Sequence, residues 1–380
     1  MKVLLLTDGV YPFVMGGIQK HSYYLAKYFT KNNIKVHLVH CIYTGEPPQN
    51  EAEVLKMTKD SASNITFSSF KFPKTNKLPG HYVKEYKIYS SQIYEELKFD
   101  LKKFDLIYAQ GFTAWTFIKK AKKGLINKPI FVNLHGYEMF QDAPTVKAKL
   151  EQQLFRKTAK WISVNADHVF SFGGKITRIL NNIGVSKSRI IELPIGIEAS
   201  WLGTYKKTTS NLRKFIFVGR FERRKGIEEL TTVLKQLIKG DLPPFEFHFI
   251  GPIPQNKRIK DKRIIYHGEI NDEKKIRRMI LQTEVLVCPS HAEGMPTVIL
   301  EAMATGNAII ANNVGSVMKQ VNGNGWLLEK PYAHSLKNAL TEAVLMDPKE
   351  LDKLRQHSVK RIQKDFLWDI LIKKLIRELK

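Results

Sequence analysis

Short apolar runs alternate with longer helical stretches along the whole 380-residue chain, and the alternation starts afresh after a polar interval at 205–214. An apolar run bounded by turn residues reads as a buried strand, and strands that alternate with helices require a parallel sheet covered on both faces. Strands are predicted at 3–6, 36–40, 65–67, 106–109, 130–134, 161–164, 168–172 and 190–193, then at 215–218, 245–250, 264–267, 285–288, 308–311 and 325–328. The restart predicts two doubly wound, Rossmann-like α/β domains, residues 1–200 and 201–362. The closing segment 363–380 places Trp368, Ile370, Leu371, Leu375 and Ile376 at the spacing of an amphipathic helix. Each half is long enough to bury a core of its own.

A hydrophobic content of 43% with 26% charged residues is that of a soluble globular protein, and no apolar run approaches the roughly 20 residues that span a bilayer. The opening MKVLLLTDGV has one lysine and a short apolar run, so it reads as a first strand and not a signal peptide, and a cytoplasmic protein is expected. Cys41 and Cys288 lie far apart in apolar runs and suggest neither a disulfide framework nor a zinc site. The net charge of +25 is spread over both halves, with 29 basic against 16 acidic residues in 1–200 and 32 against 20 in 201–380. Charge alone leaves a nucleic acid, an anionic membrane surface or a phosphate-rich substrate open. No nucleic-acid recognition module is discernible, so a nucleic-acid partner is not expected. Between 70 and 89, Lys71, Lys74, Lys77, Lys84 and Lys87 interleave with Phe72, Tyr82, Tyr86 and Tyr89, a mixture that suits the headgroup region of a membrane and equally a solvated basic loop and helix.

Three segments carry candidate chemistry. In HAEGMPTVILEAMATG, residues 291–306, Pro296 suits the start of a helix and Gly306 its end, placing Glu301 among apolar neighbours and Glu293 in the preceding loop. Glu293 then sits at the carboxyl end of a strand, where open parallel sheets bind ligands, and a partly buried Glu301 wants partners that ligand hydroxyls can supply. The alternative is a Glu301 paired with a buried cation and an exposed Glu293. In FIFVGRFERRKG the strand ends at Gly219 and delivers Arg220, with Lys225 on the loop beyond, two cations suited to a diphosphate; Arg223 and Arg224 either contribute or are solvated. In the first half, Gly16 and Gly17 stand between the first strand and a helix carrying His21, a turn that lets a backbone approach an anion. His135 follows the run 129–134, at a strand end, with Glu138 close behind.

Taken together these segments resemble the signatures of the retaining glycosyltransferases of the GT-B fold known as glycosyl transferases group 1: EG-x-P-x4-EAMA-x-G at 293–306, VGR-x4-KG at 218–226, YP-x3-GG at 11–17 and HG-x-D/E at 135–138. The resemblance covers essentially the whole chain. It implies two domains facing each other across a cleft, the first binding the acceptor and the second a UDP- or GDP-sugar, with the last helix crossing back to the first domain. It further implies catalytic roles for His135, Arg220, Lys225 and Glu293, and donor contacts from Gly16, Gly17, Gly219, Arg220, Lys225, Glu293, Gly294, Met295, Pro296 and Glu301. Arg220 and Lys225 would hold the diphosphate as it leaves, Glu293 the sugar and Glu301 the ribose. No Asp-x-Asp pair occurs in the chain, which favours neutralisation of the diphosphate by these cations, so neither metal nor other cofactor is expected.

The implied activity is a metal-independent, retaining transfer of the hexosyltransferase type to a glycan or lipid-linked acceptor of cell-surface polysaccharide or lipopolysaccharide, with the enzyme cytoplasmic or peripheral on the inner face of the plasma membrane. Two segments depart from the family pattern. Gly315, Ser316, Val317, Met318 and Lys319 stand where GG-x-PE is common, and 194–198 reads PIGIE in place of PNG-V-D. The first departure motivates an alternative, a catalytically silent, membrane-associated binding protein that keeps the fold.

Overall fold

A computed structural model describes residues 1–14, 16–42, 64–75, 80–203, 212–330 and 332–380. Lys77 and most of the polar interval at 205–214 lie outside the described residues. Two compact units result: Met1–Phe140 with Thr145–Pro194 and Ile372–Lys380, and Gln141–Pro144 with Ile195–Leu371.

The first unit is built on seven parallel strands among the described residues: β1 (Lys2–Leu6), β2 (Lys35–Ile42), β3 (Ile65–Lys71), β4 (Leu106–Gln110), β5 (Ile130–Asn133), β6 (His168–Ser171) and β7 (Ile190–Glu192), in the order β3-β2-β1-β4-β5-β6-β7. Helices α1 (Gly17–Lys31), α2 (His81–Leu97), α3 (Trp115–Ala121), α4 (Val146–Asn165) and α5 (Lys175–Ile183) connect them. The central strands β1 and β4 are buried along nearly their whole length, which explains why they read as unbroken apolar runs. Leu4, Leu6, Ile107, Ala109, Phe117, Val132 and Ile162 belong to one core on this sheet.

One predicted strand is absent: 161–164 lies inside α4. Trp161, Ile162, Ser163 and Val164 form an apolar run too short for periodicity to assign, and the buried set Thr158, Ala159, Ile162 and Ser163 follows the helical repeat. The helix starts at Thr145, whose hydroxyl accepts the amide of Ala148 at 3.1 Å. The other predicted strands form, with ends shifted by a few residues.

The second unit repeats the plan with six parallel strands: β8 (Arg213–Val218), β9 (Phe245–Ile250), β10 (Ile264–Tyr266), β11 (Val285–Cys288), β12 (Ala308–Asn312) and β13 (Gly325–Leu328), in the order β10-β9-β8-β11-β12-β13. Its helices are α6 (Ile227–Lys239), α7 (Glu273–Leu281), α8 (Thr297–Ala304), α9 (Val317–Gln320), α10 (Tyr332–Leu345) and α11 (Pro348–Arg361). Phe215, Phe217, Phe247, Phe249, Leu230 and Leu234 fill its core. After a π-helical turn at Ile362–Phe366, α12 (Trp368–Glu378) ends the chain. Gly196 packs against the Trp368 indole, where a Cβ would come within 2.6 Å of the ring. That close approach requires glycine in the altered PIGIE segment.

Both sheets reverse strand order beside their first strand, between β1 and β4 and between β8 and β11. At such a switch point the loops leaving the two strands diverge to opposite faces, opening a crevice at the carboxyl ends.

Candidate functional site

In the second unit the switch point is walled by the loops after β8 and β11. Gly219 follows β8 directly and donates its N–H to the Ile250 carbonyl at 3.0 Å. The loop closes in a 3-10 turn, Arg223–Lys225, and passes into α6 through Gly226 at φ 69°. Besides its left-handed backbone, Gly226 lies where a Cβ would sit 1.9 Å from the Pro289 carbonyl oxygen. Gly315, at φ 50°, approaches Glu293 equally closely, a Cβ there falling 2.0 Å from its carbonyl oxygen. These two glycines let the loops after β8, β11 and β12 converge on one residue.

That residue is Glu293, whose side chain is 9% exposed. Lys225 Nζ donates to Glu293 Oε1 at 2.6 Å, and Arg224 Nη1 stands 3.5 Å from Oε2 while donating to the Ala292 carbonyl at 2.9 Å. Burial alone would push the carboxyl pKa up, but Lys225 and Arg224 together outweigh it and hold it below the ordinary glutamate value. Glu293 is therefore an anion at neutral pH with two cations on it. Its main chain is clamped by Gln141, whose Nε2 donates to the Glu293 carbonyl at 2.6 Å and whose Oε1 accepts the Glu293 amide at 3.4 Å. The nearby Cys288 thiol is pushed up to about 11, by burial first and then by the Glu293 charge, and stays protonated.

The other expected residues of this unit are placed differently. Arg220 follows Gly219 and is 72% exposed, with Glu222 Oε1 at 3.1 Å. Arg223, for which solvation was one expectation, binds Glu229 through two nitrogens and meets His291 at 2.8 Å, bracing the loop. Glu301 lies half-buried in α8. Gly294 accepts the Ser316 amide at 2.8 Å, so the altered 315–319 loop is bonded directly to the Glu293 segment. Met295 is buried, its sulfur taking the Ile195 amide at 3.2 Å, which leaves only its main chain for a ligand. Pro296 precedes α8 and accepts Gln320 Nε2 at 3.0 Å.

In the first unit, α1 begins at Gly17 with no side-chain cap on its first amides. Gly17 has open space where a Cβ would stand, and Gly16 would meet only the mobile end of Gln19, so packing does not demand either glycine. Beneath them Asp8 is buried, with Gln19 Nε2 at 2.9 Å and the Tyr86 hydroxyl also donating to it. His135 follows β5 at φ 59° and is 8% exposed; its Nε2 meets Gln110 Oε1 at 2.7 Å, and the His21 ring lies edge-on at 5.1 Å. Burial first, then the neighbouring His21, holds the His135 pKa well below that of a free imidazole. With Nε2 donating to Gln110, the neutral ring keeps Nδ1 as an acceptor. Glu138 is half-buried in a short 3-10 turn.

The basic aromatic segment is corrected. Phe72 and Tyr89 are buried in the first core and Tyr86 is turned to Asp8, so among its described aromatic residues only Tyr82 faces solvent. Tyr86 and Tyr89, on successive turns of α2, serve the first unit's interior, and Tyr82 at the helix start stays exposed. The sequence reading missed Gln110 and Gln141, whereas Arg224, left open between contributing and being solvated, turns onto Glu293. Gln110 stands at a strand end beside a switch point, where a search by topology finds it; nothing local marks Gln141.

Comparison with known proteins gives the class: residues 206–364 match the family model described as glycosyl transferases group 1, and residues 15–201 that of glycosyltransferase family 4. The chain has the GT-B fold and belongs to the group 1 glycosyltransferase family. The putative teichuronic acid biosynthesis glycosyltransferase TuaC of Bacillus subtilis is 33% identical over 160 residues, 39% of this chain and 40% of that protein. Less than half of that relative is therefore spanned. The sucrose-phosphate synthase of Thermosynechococcus elongatus shares the fold over 100% of this chain and 98% of its own, with a TM-score of 0.77 at 18% identity. Anabaena Alr3699/HepE in complex with UDP and glucose does so over 100% and 99%, with a TM-score of 0.68 at 17% identity.

Proposed function

We propose that the chain transfers a hexosyl unit, with retention and without a metal, from a UDP- or GDP-sugar to a glycan or lipid-linked acceptor in cell-surface polysaccharide or lipopolysaccharide synthesis. The observation that carries the reading is the Lys225–Glu293 pair, 2.6 Å apart at the switch point of the second sheet. An ammonium has three N–H donors, so Lys225 can keep its bond to Glu293 and still donate to a phosphate oxygen. Arg220, exposed and two residues from its carboxylate partner, is free to swing onto the diphosphate as a fork. Both would stabilise the negative charge that grows on the departing diphosphate, the electrostatic work that lowers such a barrier most.

Glu293, ionised and fixed by Gln141, would accept from sugar hydroxyls and stabilise positive charge at the anomeric carbon as the leaving group departs. Glu301 would take the ribose hydroxyls. In the first unit the Nδ1 of His135 is an acceptor for a sugar hydroxyl, and the uncapped amides at Gly17 suit an anion. The acceptor hydroxyl then attacks the face the diphosphate has left. A lipid-linked acceptor would bring this reaction to a membrane surface.

The test is a panel of UDP- and GDP-sugars incubated with the protein in EDTA, followed by release of the nucleoside diphosphate and by thermal shift. A donor at a hundredfold excess over its dissociation constant adds about 2.7 kcal/mol of stability. Selective stabilisation by one nucleotide with turnover that Lys225→Ala abolishes supports the reading. Binding without turnover in the presence of candidate acceptors would leave the silent binder, and turnover lost in EDTA would remove the metal-independent step.

A further inference from the structure

Helix α4 (Val146–Asn165) changes character halfway along. Its C-terminal half sends Thr158, Ala159, Ile162 and Ser163 into the first core. Its N-terminal half does the reverse, exposing Val146 to 77%, Leu150 to 66% and Leu154 to 44%. At 3.6 residues per turn, positions four apart climb the helix as one stripe, here about 80° wide. A solvated helix carries polar residues on such a stripe.

Lysines surround the apolar stripe. Lys147 and Lys149 flank it on opposite sides, both exposed, and Lys157 continues it one turn beyond Leu154. Glu151, the acidic residue on this half, lies 4.0 Å from Lys147 and is largely exposed. The start of α2 adjoins the stripe: a Cβ at Gly80 would stand 3.6 Å from Leu154 Cδ1. Beside it Tyr82 is 53% exposed and Lys84 is exposed.

We infer that this face is a membrane-attachment surface, on which Val146, Leu150, Leu154 and Tyr82 enter the headgroup layer of an anionic bilayer while Lys84, Lys147, Lys149 and Lys157 pair with lipid phosphates. Charge selects this occupant. A second copy docked through the same face would bring lysines against lysines across a two-fold axis, whereas anionic headgroups complement all of them. A short apolar stripe with basic flanks also matches the shallow insertion of interfacial helices. The attachment is separate from sugar transfer, and its assay contains no donor, so failure of one is distinguishable from failure of the other.

The experiment is co-sedimentation of the full chain with phosphatidylcholine vesicles, with and without phosphatidylglycerol, at about 0.1 M salt, where charge contacts reach about 10 Å. Binding to the anionic vesicles is expected, and about tenfold less to phosphatidylcholine alone. Leu150→Glu with Leu154→Glu, and separately Lys147→Glu with Lys149→Glu, should each lower anionic-vesicle binding by about tenfold, with the thermal midpoint unchanged because these side chains are exposed. Wild-type protein that stays in the supernatant overturns the inference. So do variants that bind as well as wild type, or a concentration-dependent dimer that the Leu150→Glu, Leu154→Glu variant dissociates, which would assign the stripe to a second copy.

Discussion

Replacing Lys225 by methionine tests the central pair through stability and catalysis at once. In the wild type, burial raises the pKa of Glu293 and its two cations more than offset that rise, so the folded value lies below the ordinary one. A carboxyl so depressed contributes stability above its unfolded pKa of about 4.3, and the contribution is lost as pH falls through the folded value. Removing the ammonium at 2.6 Å leaves Arg224 at 3.5 Å as the remaining cation on the carboxylate, which stays just as buried. Breaking a buried pair costs about 3–5 kcal/mol when nothing compensates, and with Arg224 retained we expect about 2 kcal/mol at pH 7. For a unit of this size that is a fall of about 4–8 °C in its unfolding midpoint. Because the destabilised form is the anion, the deficit should shrink below pH 4. Adding Glu293→Gln to the variant should restore most of the loss, since a neutral amide needs no counter-charge. Turnover should fall about a hundredfold in Lys225→Met, from the loss of one preorganised partner of the leaving group. Calorimetry across pH 3–8 on the two variants decides it: a deficit independent of pH, or one that Glu293→Gln deepens, would refute the electrostatic account.

Gln141→Ala removes the clamp on the Glu293 main chain and should lower turnover about tenfold with a stability loss of about 1 kcal/mol, measured by steady-state kinetics and denaturant unfolding. Gly226→Ala meets both a positive φ and the Pro289 carbonyl, and should cost about 3 kcal/mol, read from its thermal midpoint. Gly17→Ala meets open space, so its midpoint should move by less than about 0.5 kcal/mol while donor turnover falls; normal turnover would remove the first glycine loop from the site. His135 is buried neutral, with a folded pKa well below 6.5, so the unfolded chain takes up a proton that the folded one refuses as pH drops. Stability should therefore fall by about 1 kcal/mol for this group between pH 6.5 and 5.5, and His135→Gln should flatten that slope in urea titrations.

The alternation of strands and helices was legible because β1, β4, β8, β11 and β12 are buried on both faces and leave unbroken apolar runs. It failed at Trp161–Val164, where four apolar residues continue a helix whose start, at the Thr145 cap, lies sixteen residues upstream. Glycine–cation–carboxylate chemistry was legible for the same reason that it is useful: Gly226 and Gly315 are required by close approaches that no side chain survives, and Lys225 and Glu293 stand next to them. What the chain does not announce is which of its many surface cations turns inward. Arg223 and Arg224 are adjacent in sequence, yet one braces Glu229 and the other faces Glu293. Gln141 lies 152 residues from its partner, in a stretch with no pattern of its own. The basic aromatic segment misled for a related reason, because tyrosine serves a core and an interface equally well in composition, and only the fold showed Tyr86 and Tyr89 turned inward.

Two cations stand on one carboxylate at the second switch point. Glu293 has Lys225 at 2.6 Å and Arg224 at 3.5 Å; Arg224 also reaches Glu222 at 3.4 Å, a carboxylate it shares with Arg220, and Arg223 is held by Glu228 and Glu229. A single Lys–Glu pair would be neutral, and drawing its lysine toward a phosphate would strip a buried carboxylate of its partner. With Arg224 in place, Lys225 can shift toward a diphosphate while Glu293 stays compensated and ionised. It follows that Arg224→Met should weaken donor binding more than the 3.5 Å separation alone suggests, because Lys225 is then held by Glu293. Removing both cations should cost less than the sum of the two single losses in donor affinity, since each variant already denies the diphosphate the same ammonium; strict additivity in a double-mutant cycle would show that Arg224 acts on the ligand directly.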